Sequence, residues 1–215
     1  MSAPRLRALF DQDPALAAKW VAATAREGVA AAQVCFGRML LEGTGIAKDP
    51  AAALFWFRCA AARGDADGLN MLGRCLDNGW GAPQSPAAAA RAFRQAADLG
   101  HAWGLYNLGH AYLDGRGVPR DARSAYRCYL RAAKLGHERA MNLAGRCCEE
   151  GWGTPRDRAT AADWYRRSAE GGYFRGQYNW ASVLLQAGRG AEATAWFERA
   201  AAGAPARKQS VTQCW

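Results

Sequence analysis

A single isoleucine (Ile46) stands in the whole chain, and valine is scarce. β-Branched residues suit pleated strands, whereas alanine, very frequent here, loses no side-chain entropy in a helix. This imbalance predicts an all-α protein with almost no strand. Long apolar runs are missing as well: no stretch approaches the ~20 residues needed to cross a bilayer. The opening "MSAPRLRALFDQDP" has no apolar core before Asp11 and Asp13, so it does not form a secretory signal, and a cytoplasmic location is expected. Histidine is sparse, with only three residues, His101, His110 and His137, and no HExxH spacing among them. The seven cysteines (35, 59, 75, 128, 147, 148 and 214) form no CxxC. Most sit within apolar helical patterns, where a free thiol behaves as a small hydrophobe. Redox, zinc and other metal-site readings are thereby set aside, and no cofactor is implied.

What the chain does contain is a period. Gly37, Gly73, Gly109 and Gly145 are each 36 residues apart. The pairs Gly43/Gly45, Gly79/Gly81, Gly115/Gly117 and Gly151/Gly153 keep the same spacing, as do Gly28, Gly64, Gly100, Gly136 and Gly172. Periods of this length are the signature of stacked supersecondary units. Each unit holds two apolar-periodic segments. The first, such as "GLNMLGRCLDN", is a helix whose central glycine lets a neighbour approach and which runs out at a Gly-X-Gly turn. A fixed cap opens the second helix: Asp13-Pro14, Asp49-Pro50, Ser85-Pro86, Asp121 and Asp157. Asp or Ser accepts orphan amide hydrogens there, and proline at the first helical position needs no donor. The expected organisation is a cap segment at 1–12 and one repeat domain at 13–203. That domain comprises a half-repeat 13–29, full repeats 30–65, 66–101, 102–137 and 138–173, and a truncated capping repeat 174–203. A tail at 204–215 ends in Cys214-Trp215.

The segments 36–64 and 108–136 resemble Sel-1-like repeats, close relatives of tetratricopeptide repeats. The resemblance rests on Leu108, Gly109, Tyr112, Gly115, Gly117, Val118, Asp121, Ala125, Tyr129, Ala132, Ala133 and Gly136, and it covers roughly 13–203. It implies a right-handed superhelix of antiparallel helix pairs, with first helices lining a concave face. It also implies a non-catalytic interaction module, such as an adaptor or an inhibitor of a cognate bacterial protein, acting as a monomer on a protein or peptide partner. Cysteine-rich secreted relatives carry disulfide partners at the positions of Ala61 and Leu69; here every copy lacks cysteine at both.

Tetratricopeptide-style register places Asn70, Arg74, Asp77 and Asn78 inward in repeat two, and Tyr106, His110, Leu113 and Asp114 in repeat three. Repeat four gives Asn142, Arg146, Glu149 and Glu150, and the last repeat gives Tyr178. Trp103 and Arg175 extend the stripe by one turn. Asparagine can clamp a peptide amide, arginine can fork onto a carboxylate, and tyrosine gives rigid amphipathic area. The alternative for the asparagines is hydrogen bonding between helices.

Repeats two and four also rhyme. "NMLGRCLDNGWGAP" (70–83) and "NLAGRCCEEGWGTP" (142–155) agree at eight of fourteen positions, and "GLYN" (104–107) matches "GQYN" (176–179), so the effective period is 72. Trp80 and Trp152 therefore belong to a built pattern. Either each indole seals its turn against a neighbouring unit, or both edge a binding surface.

The net charge of +9 is almost all arginine. Arg120, Arg123, Arg127, Arg131 and Lys134 form one ridge along a second helix. A solvated outer face accounts for it, and no nucleic-acid motif accompanies it. No nucleophile–base constellation is spelled out, so no catalytic residue is named. His110 beside Tyr106 is the nearest approach to a hydrolase-like site, and the ridge over 120–134 is the nearest approach to a nucleic-acid surface.

Overall fold

The computed structural model describes residues 12–204, and every regular element among them is a helix. The N-terminal residues before these and the Cys214-Trp215 terminus lie outside the described residues. In chain order the helices are α1 (Pro14–Arg26), α2 (Ala30–Glu42), α3 (Pro50–Ala62), α4 (Ala66–Asn78), α5 (Pro86–Asp98) and α6 (Ala102–Asp114). They continue with α7 (Ala122–Lys134), α8 (Glu138–Glu150), α9 (Arg158–Glu170), α10 (Phe174–Gln186) and α11 (Gly190–Gly203). The chain forms two compact units, divided between Arg120 and Asp121. In the first, α2/α3 and α4/α5 are helical hairpins flanked by α1 and α6. In the second, α8/α9 and α10/α11 are hairpins preceded by α7.

The caps follow the sequence with one exception. Asp13, Asp49, Asp121 and Asp157 accept from amides of the first turn of α1, α3, α7 and α9. Ser85, expected to cap α5, makes no such side-chain bond. Its amide instead donates to the carbonyl of Leu76 at 2.8 Å, so the residue ties the turn back to α4. Asp49 and Asp157 make the same backbone tie to Leu40 and Cys148. The slot that opens the first helices holds Val29, Asp65, His101, His137 and Tyr173, and of these Asp65, His101 and His137 are side-chain caps. Gly68 N–H donates to Asp65 at 2.7 Å, while Gly104 and Ala140 N–H donate to Nδ1 of His101 and His137, each at 3.1 Å. This explains why histidine recurs where aspartate otherwise stands: both present an acceptor to orphan amides.

The hairpins α2/α3, α4/α5 and α8/α9 each close on an aromatic ring. Phe57 and Tyr165 are almost wholly buried, and burying such a ring contributes on the order of 2 kcal/mol. The rings lie over the repeat glycines. A Cβ on Gly37 would stand 2.6 Å from Phe57, on Gly73 2.5 Å from Phe93, and on Gly145 2.7 Å from Tyr165. What the central glycine admits is thus a side chain of the partner helix.

The second glycine of each Gly-X-Gly turn does something different. At Gly81 (φ +78°) an added Cβ would collide with the carbonyl of Pro50, at the start of the preceding second helix. Gly45 meets Pro14, Gly117 meets Pro86 and Gly153 meets Ala122 in the same way. Backbone therefore rests on backbone from one repeat to the next. Gly64, also left-handed at φ +76°, faces open space. Gly64→Ala should accordingly cost only the ~1–2 kcal/mol of a left-handed alanine, whereas Gly81→Ala should cost clearly more, because the turn must also lift off α3. Denaturant midpoints of the two variants check this; equal losses would show that the docking contact carries no weight.

Candidate functional site

The proposed inward residues of the first unit all lie on α4 and α6. Asn70, at the buried end of the stripe, is 4% exposed, and its Oδ1 accepts from Nδ2 of Asn107 at 2.8 Å. In the second unit Asn142, equally buried, accepts from Asn179 at 2.7 Å. Both amides bridge consecutive first helices. These two bonds also account for the period of 72: repeats two and four supply an acceptor at one position, and repeats three and five supply a donor one residue further on. Asn107 and Asn179 were not singled out from the sequence, although the paired "YN" motifs carried the signal.

The arginines are placed otherwise. Arg74 is half-buried and holds its guanidinium 5.3 Å from the ring centroid of Trp80. Arg146, exposed, stands 5.1 Å over Trp152. Each pair belongs to one repeat. The first helix presents the arginine, and the Gly-X-Gly turn returns the indole beneath it. The turn geometry is that of a left-handed cap: Trp80 and Trp152 N–H donate to the carbonyls of Cys75 and Cys147, both at 2.9 Å. Trp80 is partly buried against the core built from α1 to α4, so one edge packs while a face meets the cation. In repeat three the same turn slot holds Arg116, which reaches Asp77 of the preceding repeat at 2.9 Å.

α6 carries an edge-on aromatic ladder. Trp103 and Tyr106 ring centroids are 5.7 Å apart, and Tyr106 and His110 are 4.6 Å apart. Burial holds the His110 imidazole below its ordinary value near 6.5, with Asp114 pulling weakly the other way. The ring is therefore neutral at pH 7. Nearby, Asp67 receives His101 Nε2–H at 3.2 Å and Arg38 at 3.4 Å. The hydrogen bond from His101 holds the Asp67 carboxyl below the usual range. On α10, Arg175 lies 5.6 Å over Phe174, and Tyr178, 56% exposed, packs edge-on to Phe197 at 5.3 Å.

The remaining chemistry points away from catalysis by thiols. Burial pushes Cys75 and Cys147 up to about 12, so neither is a thiolate near neutrality. Tyr165 donates to Glu149 at 2.6 Å at the base of an open cleft of about 270 Å³ lined also by Glu150, Arg156, Arg158 and Gln186. Among the described residues no group of three or more His, Cys, Asp or Glu could hold a metal ion, and no helix is long and apolar enough to cross a membrane.

Two outcomes follow. In a double-mutant cycle, Asn70→Ala and Asn107→Ala should couple by about 1 kcal/mol, since either single change strands a polar partner; additive losses would mean that the bridge is idle. For His110 the unfolded chain takes up its proton near 6.5 while the folded one resists it, so acidification below about 6.5 should erode stability. Unfolding free energies measured from pH 7 downward should fall more steeply for the native chain than for His110→Gln.

The Sel1 repeat family matches residues 28–65, 66–101, 104–137 and 139–173. Among solved structures, a Sel1 repeat protein from Oxalobacter formigenes is 26% identical with a TM-score of 0.81, the match covering 94% of this chain and 83% of that one. A protective antigen of uropathogenic Escherichia coli strains, displaying an SLR fold, is 28% identical with a TM-score of 0.78 over 89% of this chain. The present chain spans 42% of that antigen's length. No curated protein matches the sequence. Four consecutive matched repeats settle the assignment: the chain belongs to the Sel1 repeat family.

Proposed function

We propose that the protein is a non-catalytic interaction module that takes a peptide or protein segment on the first helices of its repeats. Sel1-repeat proteins are typically interaction modules and generally non-catalytic scaffolds. The observation that carries the reading for this chain is the recurrence of an arginine stacked on a turn tryptophan, Arg74 on Trp80 and Arg146 on Trp152. A guanidinium over an indole is drawn to the negative face of the ring, Arg74 also donates to the Met71 thioether at 3.5 Å, and the planar fork of an arginine suits a carboxylate or a backbone carbonyl. Its rotamer is already restricted, so less freedom is lost when a ligand arrives.

Within the second unit, Tyr178 and Arg175 add an exposed aromatic and a cation; within the first, Trp103, Tyr106 and His110 supply an aromatic edge with a neutral imidazole. In this reading Asn70 and Asn142 serve the frame, spacing the helices that carry the arginines. The buried, protonated thiols and the uncharged His110 fit recognition better than turnover. The six described cysteines are free, which suits a reducing cytoplasm, where the chain would act as a monomer.

Affinity capture with the full chain as bait tests the reading. Arg74→Gln combined with Arg146→Gln should lower enrichment of the captured partner at least tenfold while the circular-dichroism melt stays in place. Undiminished capture by the double variant, or turnover of the captured ligand by the native chain, would overturn it.

A further inference from the structure

Gly45, Gly81, Gly117 and Gly153 each seat a turn on the first residue of a second helix: Pro14, Pro50, Pro86 and Ala122. The next place in that series is Arg158, at the start of α9. Among the described residues no turn of repeat five docks there. Residues 187–189 alone join α10 to α11, where 151–157 join α8 to α9, and a Cβ on Gly188 or Gly190 would meet no atom within 4 Å. The open cleft beside Tyr165 lies at this seat, between the end of α8, the start of α9 and the end of α10, with Ala161, Ala162 and Val183 as its apolar lining. Ala162 is half-buried, whereas Leu54 and Ala90, its counterparts in α3 and α5, are buried.

Leu41, Asp77, Leu113 and Glu149 hold one position near the ends of successive first helices. The turn one repeat later carries Trp80 after Leu41, Arg116 after Asp77 and Trp152 after Leu113. An apolar residue is followed by tryptophan and an acid by arginine, and Arg116 closes on Asp77 at 2.9 Å. Glu149 is the second acid of the set, and the arginine expected to follow it is diverted. Arg189, flanked by Gly188 and Gly190 as Arg116 is by Gly115 and Gly117, donates from Nε and Nη2 to the two oxygens of Glu192 at 2.7 and 2.6 Å. Glu149 Oε2 accepts the neutral Tyr165 hydroxyl instead, and a carboxylate has lone pairs for further donors. Of the cations in the cleft, Arg156 is held by its own turn. Its Nε donates to the Glu150 carbonyl at 3.2 Å, and its Nη2 stands 4.0 Å from the Glu150 carboxylate. Arg158 is exposed at the rim.

We propose that this cleft takes an arginine of a partner protein, carried on a glycine-flanked turn, with its guanidinium on Glu149. The Arg116–Asp77 pair of the same chain is the template. Glu149 lies in the last turn of α8, where the helix carbonyls converge and a cation is favoured. The Tyr165 hydroxyl holds the carboxylate in place, and Ala162 and Val183 support the aliphatic stem of the incoming side chain. Glycine beside the arginine lets the visiting backbone lie on the Arg158 carbonyl, as Gly117 lies on that of Pro86. Neither arginine–tryptophan pair takes part, so this site stands apart from the recognition surface proposed above.

Fluorescence anisotropy with the full chain at low salt tests it. The probes are a labelled peptide copying residues 113–119 and two forms of it with glutamine or glutamate in place of the arginine. The arginine form should bind about fivefold more tightly than either of the others and lose about fivefold in affinity with Glu149→Gln, the scale of one exposed ion pair. That variant keeps an acceptor for Tyr165, so its thermal melt should match the native one. Affinity should be unchanged with Arg74→Gln. Equal binding of the arginine and glutamine forms, no loss with Glu149→Gln, or no binding at millimolar peptide would each overturn the proposal. Preference for the glutamate form would overturn it as well, by assigning the cleft to an anion on Arg156 and Arg158. So would a dimer, seen by sedimentation, that Glu149→Gln dissociates, since the occupant would then be a second copy of the chain.

Discussion

The contact on which each unit's architecture turns is the smallest one in it: a glycine α-carbon laid on a carbonyl. At Gly45, Gly81, Gly117 and Gly153 the turn of one repeat rests on the first residue of the preceding second helix, with no room for a methyl group. Backbone geometry varies far less than side-chain packing, so this seat fixes the step between repeats within narrow limits. The rest follows from it. With the turn docked, the left-handed cap aims the intervening residue along a defined direction, and that residue is the one that varies: Thr44, Trp80, Arg116 and Trp152.

That variation is where the frame becomes specific. Trp80 and Trp152 draw an arginine from their own first helix, whereas Arg116 reaches back to Asp77 in the repeat before. Asn70 and Asn142 receive a donor from the repeat that follows. Repeats two and three are thus stitched twice, each time by a donor of repeat three, and repeats four and five by the asparagine bond. Buried amide pairs discriminate between registers, because a slip by one residue leaves a donor and an acceptor without a mate.

Much of the architecture was legible in the residues. Glycine spacing gave the repeats, and Asp-Pro pairs gave the helix starts, because both report backbone demands that few residues meet. The role of the central glycine was visible only in outline. Its partner, an aromatic ring twenty residues on, is a matter of tertiary packing. His101 and His137 stand 36 residues apart in the sequence, yet their function as caps depends on which ring nitrogen faces the amide. Ser85 broke the pattern: its amide ties the turn back to Leu76 as Asp49 and Asp157 do to their first helices, but its hydroxyl does not cap α5. Of the candidate groove, the asparagine bridges were encoded in the period of 72, and their partners, Asn107 and Asn179, close the matching motifs one position after the tyrosines placed inward by register.

The two corners of each repeat differ in kind. At the Gly-X-Gly corner, chain presses on chain. At the opposite corner Gly64, Gly100, Gly136 and Gly172 share the left-handed conformation but have nothing near the place a side chain would occupy. A repeat is therefore latched on one side and unencumbered on the other. A side chain meets no steric resistance at these four corners, so that is where this chain has room to vary without lifting a docked turn.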